Sequence, residues 1–420
     1  MTLYWFLLVV SSLAIASVPA QPVELSRCLG ASLMLVSAWV VLTQIVSRVA
    51  RRAVSAGLQP LAAAQMLERQ LDLLRWLGLP IAMVCGVGFG LAAAVQTWPV
   101  FEDSMTLQAM ILLAPGLLIA ASVWFSEHRY GVAMGYVEPS GLRVVRELLS
   151  SLVVSGGWIL APVLAMLLAT DAVHWMGLFD EQSGAAVMAV LAIVGVPLAV
   201  PLIIRRIWTT GPVDPAHREW TQRLLSSVGM KRLPVRVWDT RMRSYNAVVA
   251  GFVPGLRSLI VTDRLFAEMP PRDLSLVVLH EVAHVRHGHV WLRMLAMIPS
   301  WLLAAAVSSW LAGSPLATVV TNLSAVAMTL LTLRWVAHAT ERDADRTACR
   351  MSMSLPSALD PPRTRQEAAD RYCQALRWVT RQERSAGKAS WLHPSVDDRC
   401  QRLQNWAAVT PRQVPQFAEG

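Results

Sequence analysis

Lysine is almost missing from this chain. Lys231 and Lys388 are the two present among 420 residues, and arginine carries the rest of the positive charge. That usage reads as the trace of a GC-rich, bacterial genome. Charge of either sign is scarce at 15 %, against 55 % hydrophobic residues and a mean hydropathy of +0.45. Such a balance excludes an ordinary soluble domain and a disordered chain, and describes a protein with several membrane spans. Cysteine is sparse too: Cys28, Cys85, Cys349, Cys373 and Cys400 are odd in number, widely spaced and form no CxxC. Neither a disulfide framework nor a cysteine zinc site follows, so reduced structural thiols are the reading. The formal charge of +9 comes without a basic patch interleaved with aromatics, so no nucleic-acid partner is expected. Asp and Glu are absent from residues 290–337.

What is there, first, is a series of long apolar stretches. Eight of them reach spanning length, approximately 3–20, 28–48, 76–96, 105–125, 150–170, 184–205, 290–311 and 315–337. The connections between them alternate in charge. Arg48, Arg51, Arg52, Arg69 and Arg75 follow the second span, whereas Thr97 to Ser104 holds Glu102 and Asp103 and no base. Arg129, Arg143 and Arg146 come next, then Asp171, Asp180 and Glu181 without a base, then Arg205 and Arg206. The positive-inside rule therefore places both termini and residues 207–289 in the cytoplasm, in a bacterial inner membrane. The end of the first span, Ser17-Val18-Pro19-Ala20, faintly resembles a signal cleavage site. No basic segment precedes it, and an uncleaved anchor is favoured.

Five segments follow from this reading. Residues 1–206 form a six-span membrane region, 207–289 the first cytosolic part, 290–337 a transmembrane hairpin, 338–407 the second cytosolic part and 408–420 a tail. The first cytosolic part predicts an amphipathic helix over 215–230 and strands near 235–238, 245–252 and 258–262. A helix opening near Pro271–Asp273 follows. The second part continues helically out of the last span, breaks over Leu355–Pro362, and resumes as a charged helix over about 365–384.

That opening helix carries His280-Glu281-Val282-Ala283-His284, an HExxH pattern. Residues four apart share a helix face, so both imidazoles can reach one Zn²⁺, with Glu281 placed to take a proton from water. The bland alternative is a surface helix with two unrelated histidines. A catalytic zinc needs a third protein ligand. Downstream, the first acidic group is Glu341-Arg342-Asp343-Ala344-Asp345. Glu341 and Asp345 share a face, so Glu341 can ligate while Asp345 accepts a hydrogen bond from a ligand histidine. His338, one turn earlier, competes with Glu341; the glutamate is preferred because Asp345 then gains a role. His287 and His289 read as marks of a solvated helix end.

With both motifs in place, the chain resembles the integral-membrane gluzincin peptidases of the HtpX type and the CAAX prenyl endopeptidases. These pair HExxH with ExxxD across a transmembrane hairpin. Ser244-Tyr245-Asn246-Ala247, with Gly251 and Leu259-Ile260-Val261-Thr262-Asp263, is similar to the family's edge strand. His393-Pro394-Ser395 with Arg399 and Leu403 is similar to its late HPxxxxR element. The resemblance covers about residues 215–405. It implies that His280, His284 and Glu341 hold one Zn²⁺ per chain, with Glu281 as general base and Asp345 behind the ligands. It further implies that His393 and Arg399 lie near the metal, stabilising the oxyanion or positioning Glu341. Asn246 would sit on the strand that receives extended substrate. From the residues alone, Asn246 reads as a turn residue and His393 as a helix-start signal. Residues 1–206 depart from the pattern, with six spans where prenyl endopeptidases have five and HtpX-type proteins fewer.

The fold expected is thus a mainly α polytopic membrane protein of about eight helices, with a small α+β cytosolic zinc-metallopeptidase domain split by a transmembrane hairpin. The function expected is endopeptidase cleavage of membrane or juxtamembrane polypeptides at the cytosolic face, in membrane-protein quality control. Three other readings stand beside it. A sensor peptidase of the antirepressor type lacks room for a large external sensor. A non-catalytic scaffold is hard to reconcile with the complete ligand set. A transporter lacks acidic residues within the spans.

Overall fold

The computed structural model describes residues 2–16, 23–138, 141, 143–177, 195–242, 244–251, 253–296, 298–310, 317–380 and 389–409. The chain divides into two compact units, Met1–Ala199 and Val200–Gly420.

The first unit is helical: α1 (Thr2–Ala16), α2 (Leu25–Ser55), α3 (Pro60–Met83), α4 (Leu91–Thr97), α5 (Met105–Ala133), α6 (Arg143–Leu152) and α7 (Trp158–Trp175). Five-residue π-helical turns extend α3 over Val84–Gly88 and join α6 to α7 over Val153–Gly157. Among the described residues four helices are long and apolar enough to cross a membrane: Leu25–Ser55, Pro60–Gly88, Met105–Ala133 and Val144–Trp175. The third expected span is displaced. The helix runs over 60–88 and stops where Gly90 turns left-handed at φ 77, so the window 76–96 straddles a break. The apolar window missed the first half because it is amphipathic. Arg75 there pairs with Asp72 and, on α5, with Glu127, each at 3.1 Å. Small residues let the helices close on one another: a Cβ on Gly116 would meet Leu8, and one on Gly156 would meet Trp5. The expected connection with Asp180 and Glu181, and most of the 184–205 span, lie outside the described residues. Part of that span is α8 (Val196–Ile207), within which the two units divide.

The second unit holds a four-stranded sheet and a helical layer. The strands are β1 (Thr210–Pro212), β2 (Val235–Trp238), β3 (Ala247–Ala250) and β4 (Ser258–Thr262), in the order β1-β2-β4-β3. β4 is buried along its whole length, parallel to β2 and antiparallel to β3, which leaves β3 as an edge. Arg205, at the end of α8, is tied to this sheet by a bond to Ser258 Oγ at 3.1 Å. The helices are α9 (Pro215–Ser227), α10 (Asp263–Glu268), α11 (Pro271–Arg286), α12 (His289–Leu295), α13 (Ile298–Trp310), α14 (Ala317–Met353), α15 (Arg365–Thr380) and α16 (Val396–Ala408).

Their shared core gathers Leu224, Leu225, Leu259, Val261, Leu265, Leu279 and Val282. Ala283, Ala344, Ala348, Ala368 and Ala369 in the same core bring α11, α14 and α15 into close approach. The strand β1 was not anticipated, and the 290–311 stretch is two helices, α12 and α13, rather than one. The single helix α14 runs through most of the apolar 315–337 stretch into the Glu341–Asp345 motif, so that motif sits on a rigid rod.

Gly251 closes β3 at φ +89, and a Cβ there would fall 2.7 Å from Pro201 Cγ and 3.2 Å from Arg257 Cα. Gly251→Ala is therefore expected to destabilise the second unit by about 1–3 kcal/mol, read as a lowered thermal unfolding midpoint of the purified protein.

Candidate active site

Helix α11 opens with Pro271 in its first turn and ends where His287 caps it and Gly288 turns left-handed at φ 63. Its buried stripe continues Leu276, Leu279 and Ala283 with His280, so the apolar periodicity that docks the helix also points one imidazole inward. His284 lies one turn further on the same face.

Three donors converge there. His280 Nε2 and His284 Nε2 are 3.1 Å apart. Glu341 on α14 places Oε2 3.5 Å from the first and Oε1 3.3 Å from the second. Ligand atoms about 2.0–2.2 Å from a tetrahedral Zn²⁺ stand about 3.3 Å from one another, so the cluster has the spacing such an ion requires. The chemistry of the set, two imidazoles and one carboxylate, fits as well. Glu341 is 1 % exposed, and its Oε2 makes no well-formed hydrogen bond although it is buried. A buried carboxylate oxygen without a well-formed bond, 3.5 Å from the His280 imidazole, is what a cation would satisfy.

The other nitrogen of each imidazole is held from behind. His280 Nδ1 lies 2.8 Å from Tyr372 Oη and 3.0 Å from Asp345 Oδ1. Tyr372 donates to Asp345 Oδ1 at 2.7 Å. Arg399 donates to both oxygens of Asp345, at 2.9 and 2.6 Å, and to Tyr372 Oη at 3.1 Å. Burial opposes the charge on Asp345, but the Arg399 guanidinium and the His280 bond hold its carboxyl far below the usual range. Burial likewise keeps the Tyr372 phenol protonated, its pKa pushed well above normal. This arrangement puts a proton on His280 Nδ1 and turns Nε2 toward Glu341. His284 Nδ1 faces His289 Nδ1 at 2.8 Å.

Burial sets the remaining charges. It lowers His284 to about 4, so that imidazole is neutral. It would lower His280 too, but Asp345 and Glu341 raise that group to about 9. Burial opposes the charge on Glu341 as well, but the neighbouring His280, His284 and His393 imidazoles hold it well below normal. Burial raises the Glu281 carboxyl, with Glu341 adding to the effect. Glu281 Oε2 accepts from the Val249 N–H at 3.2 Å, which seats it between the edge strand and the donor cluster.

His393, half-exposed, brings Nδ1 to 3.0 Å from Glu341 Oε2. Arg399 is committed to Asp345, with Nη1 3.8 Å from Glu341. Its hydrogen bonds go to Asp345 and Tyr372 rather than to Glu341. Asn246 is exposed at the head of β3, its N–H donating to Thr262 Oγ1 at 3.0 Å. His338 turns instead to the Ser390 carbonyl at 3.4 Å, away from the cluster. The reading of His289 as solvated needs correcting. It is 4 % exposed, because Gly288 folds α12 back so that His289 packs on His284.

Two residues at the site carried no anticipated role. Arg293 donates to Glu341 Oε1 at 2.9 Å and to Thr340 Oγ1 at 2.8 Å. Its signal was available, as a lone base inside an apolar stretch. Tyr372 has no such local mark.

Residues 214–407 match the model of Peptidase family M48. This segment is a Peptidase family M48 domain. The chain is accordingly a metalloendopeptidase. Among solved structures it is similar to S. mikatae Ste24p in its crystal structure, at 11 % identity and a TM-score of 0.45. The match covers 91 % of this chain and 100 % of that one. No curated protein matches the chain. Within the M48 domain the HExxH helix supplies two donors and the long helix α14 the third.

Tyr372→Phe removes the hydroxyl that joins His280, Asp345 and Arg399. Zinc affinity is expected to fall about 10–100-fold, measured by competition with a chromogenic chelator.

Proposed function

We propose that this chain is a membrane-embedded zinc-dependent endopeptidase that cleaves membrane or juxtamembrane polypeptides at the cytosolic face. The observation that carries the reading is the placement of Glu281 between the His280, His284 and Glu341 donors and the edge strand β3. His280, His284 and Glu341 would hold one catalytic Zn²⁺, which when bound lowers the pKa of water and polarises a carbonyl.

The remaining steps belong to the chain's own residues. In the β3–β4 ladder Asn246, Val248 and Ala250 face the partner strand, so the main-chain groups of Ala247 and the Val249 carbonyl point to the open edge, where the Val249 N–H donates to Glu281. An extended substrate would add there as a further strand, with Asn246 at the entry. Glu281, its carboxyl raised by burial, takes a proton from water and passes it to the leaving amine. His393, exposed on the open side, is the group placed to donate to the developing oxyanion. Arg399 and Tyr372 act through Asp345, fixing His280.

The membrane setting supports the substrate class. In the proposed topology eight spans, two of them the hairpin between His284 and Glu341, put the site beside the bilayer on the arginine-rich side. Membrane-protein segments are then the polypeptides nearest to it, which suits quality control.

Glu281→Gln is expected to keep metal binding while lowering kcat/KM by at least about 100-fold, assayed on purified protein with an unfolded membrane-protein substrate. Turnover at the wild-type rate would overturn the assignment. Apparent zinc affinity should also rise with pH. The imidazole of His280 holds its second proton below about 9 and must release it to ligate. Between pH 6 and 8 the apparent association constant is expected to climb roughly tenfold per unit, levelling above 9.

A further inference from the structure

A second set of donors lies behind His284. His287 at the end of α11, His289 at the start of α12 and Asp343 on α14 bring one ligand atom each within 4.8 Å of one another. His287 Nδ1 is hydrogen-bonded to Asp343 Oδ2, and His289 Nε2 lies 3.1 Å from the same oxygen. His289 is buried, whereas the side chains of His287 and Asp343 are 37 % and 48 % exposed. The set therefore has a fixed inner donor and an open mouth. Two imidazoles and one carboxylate select borderline cations such as Zn²⁺ over Mg²⁺ or Ca²⁺.

We propose that His287, His289 and Asp343 form a second divalent-cation site whose occupation opposes the catalytic one. The opposition follows from counting protons on two rings. A neutral imidazole carries one N–H. If His284 ligates through Nε2, its proton sits on Nδ1 and must be accepted by His289 Nδ1, 2.8 Å away. The His289 proton is then on Nε2, donated to Asp343. A cation on His289 Nε2 displaces that proton, and the neutral ring carries one on Nδ1 instead. Two N–H donors then face each other across 2.8 Å, so His284 is pushed from its ligating pose. Excess Zn²⁺ would thereby switch the peptidase off.

Binding at this site stands on its own donors, while the inhibition rests on the proposed peptidase reading. The test is isothermal titration of the purified full-length protein with Zn²⁺ alone, alongside peptidase assays over the same range. Wild type should show a tight event and a second, weaker one, with activity falling as the second fills. His287→Ala and Asp343→Asn, both at exposed positions, should weaken the second event more than about tenfold and leave activity resistant to excess Zn²⁺. Glu341→Gln should lose the tight event and keep the weak one. A single event in wild type up to millimolar Zn²⁺, or a weak event unchanged in both variants, overturns the second site. Two events with undiminished activity overturn the antagonism alone. Retention of the tight event in Glu341→Gln instead counts against the proposed catalytic site.

Discussion

The pair between Asp345 and Arg399 is the contact on which the peptidase unit is organised. Both groups are buried, and the two hydrogen bonds between them join α14 to α16. Through Tyr372 the same carboxylate reaches α15, and through His280 it reaches α11. Four helices thus meet at one charge. Removing one partner from such a buried pair generally costs about 3–5 kcal/mol, because the survivor is left uncompensated. The constraint is therefore strong, and it is spent on orientation: it decides which nitrogen of His280 faces Glu341.

A second principle is charge compensation around Glu341. A carboxylate that is 1 % exposed is unfavourable alone, and here Arg293 donates to one oxygen while His393 approaches the other. Neither quenches it fully, since Oε2 retains no well-formed bond. Full neutralisation by arginine would leave a structural ion pair. Partial neutralisation leaves a donor with capacity for a cation, and a carboxylate below its usual range stays ionised to serve it.

Much of this could be read along the chain. His280 and His284 share a face because the helix repeats every 3.6 residues, and Glu341 and Asp345 do so for the same reason. The strands over 235–238 and 258–262 were legible as β-branched and aliphatic runs, and the structure has them there. Local pattern failed where polar residues satisfy one another. The amphipathic start of α3 was read as a connection because Arg75 counts as a charge in sequence and as an ion pair in space. It failed again at His289, where the turn at Gly288 reverses the direction a straight helix would have taken.

Composition and periodicity by themselves determined the class of the molecule. They gave an arginine-rich, apolar, largely helical chain with helices of spanning length and two donors one turn apart. Only the tertiary structure decided what stands behind those donors. Tyr372 touches His280 across 92 positions and Arg399 touches Asp345 across 54. No helical or strand period links residues so far apart. Their meeting is set by how alanine-lined helices pack, and that is a property of the whole core rather than of any stretch within it.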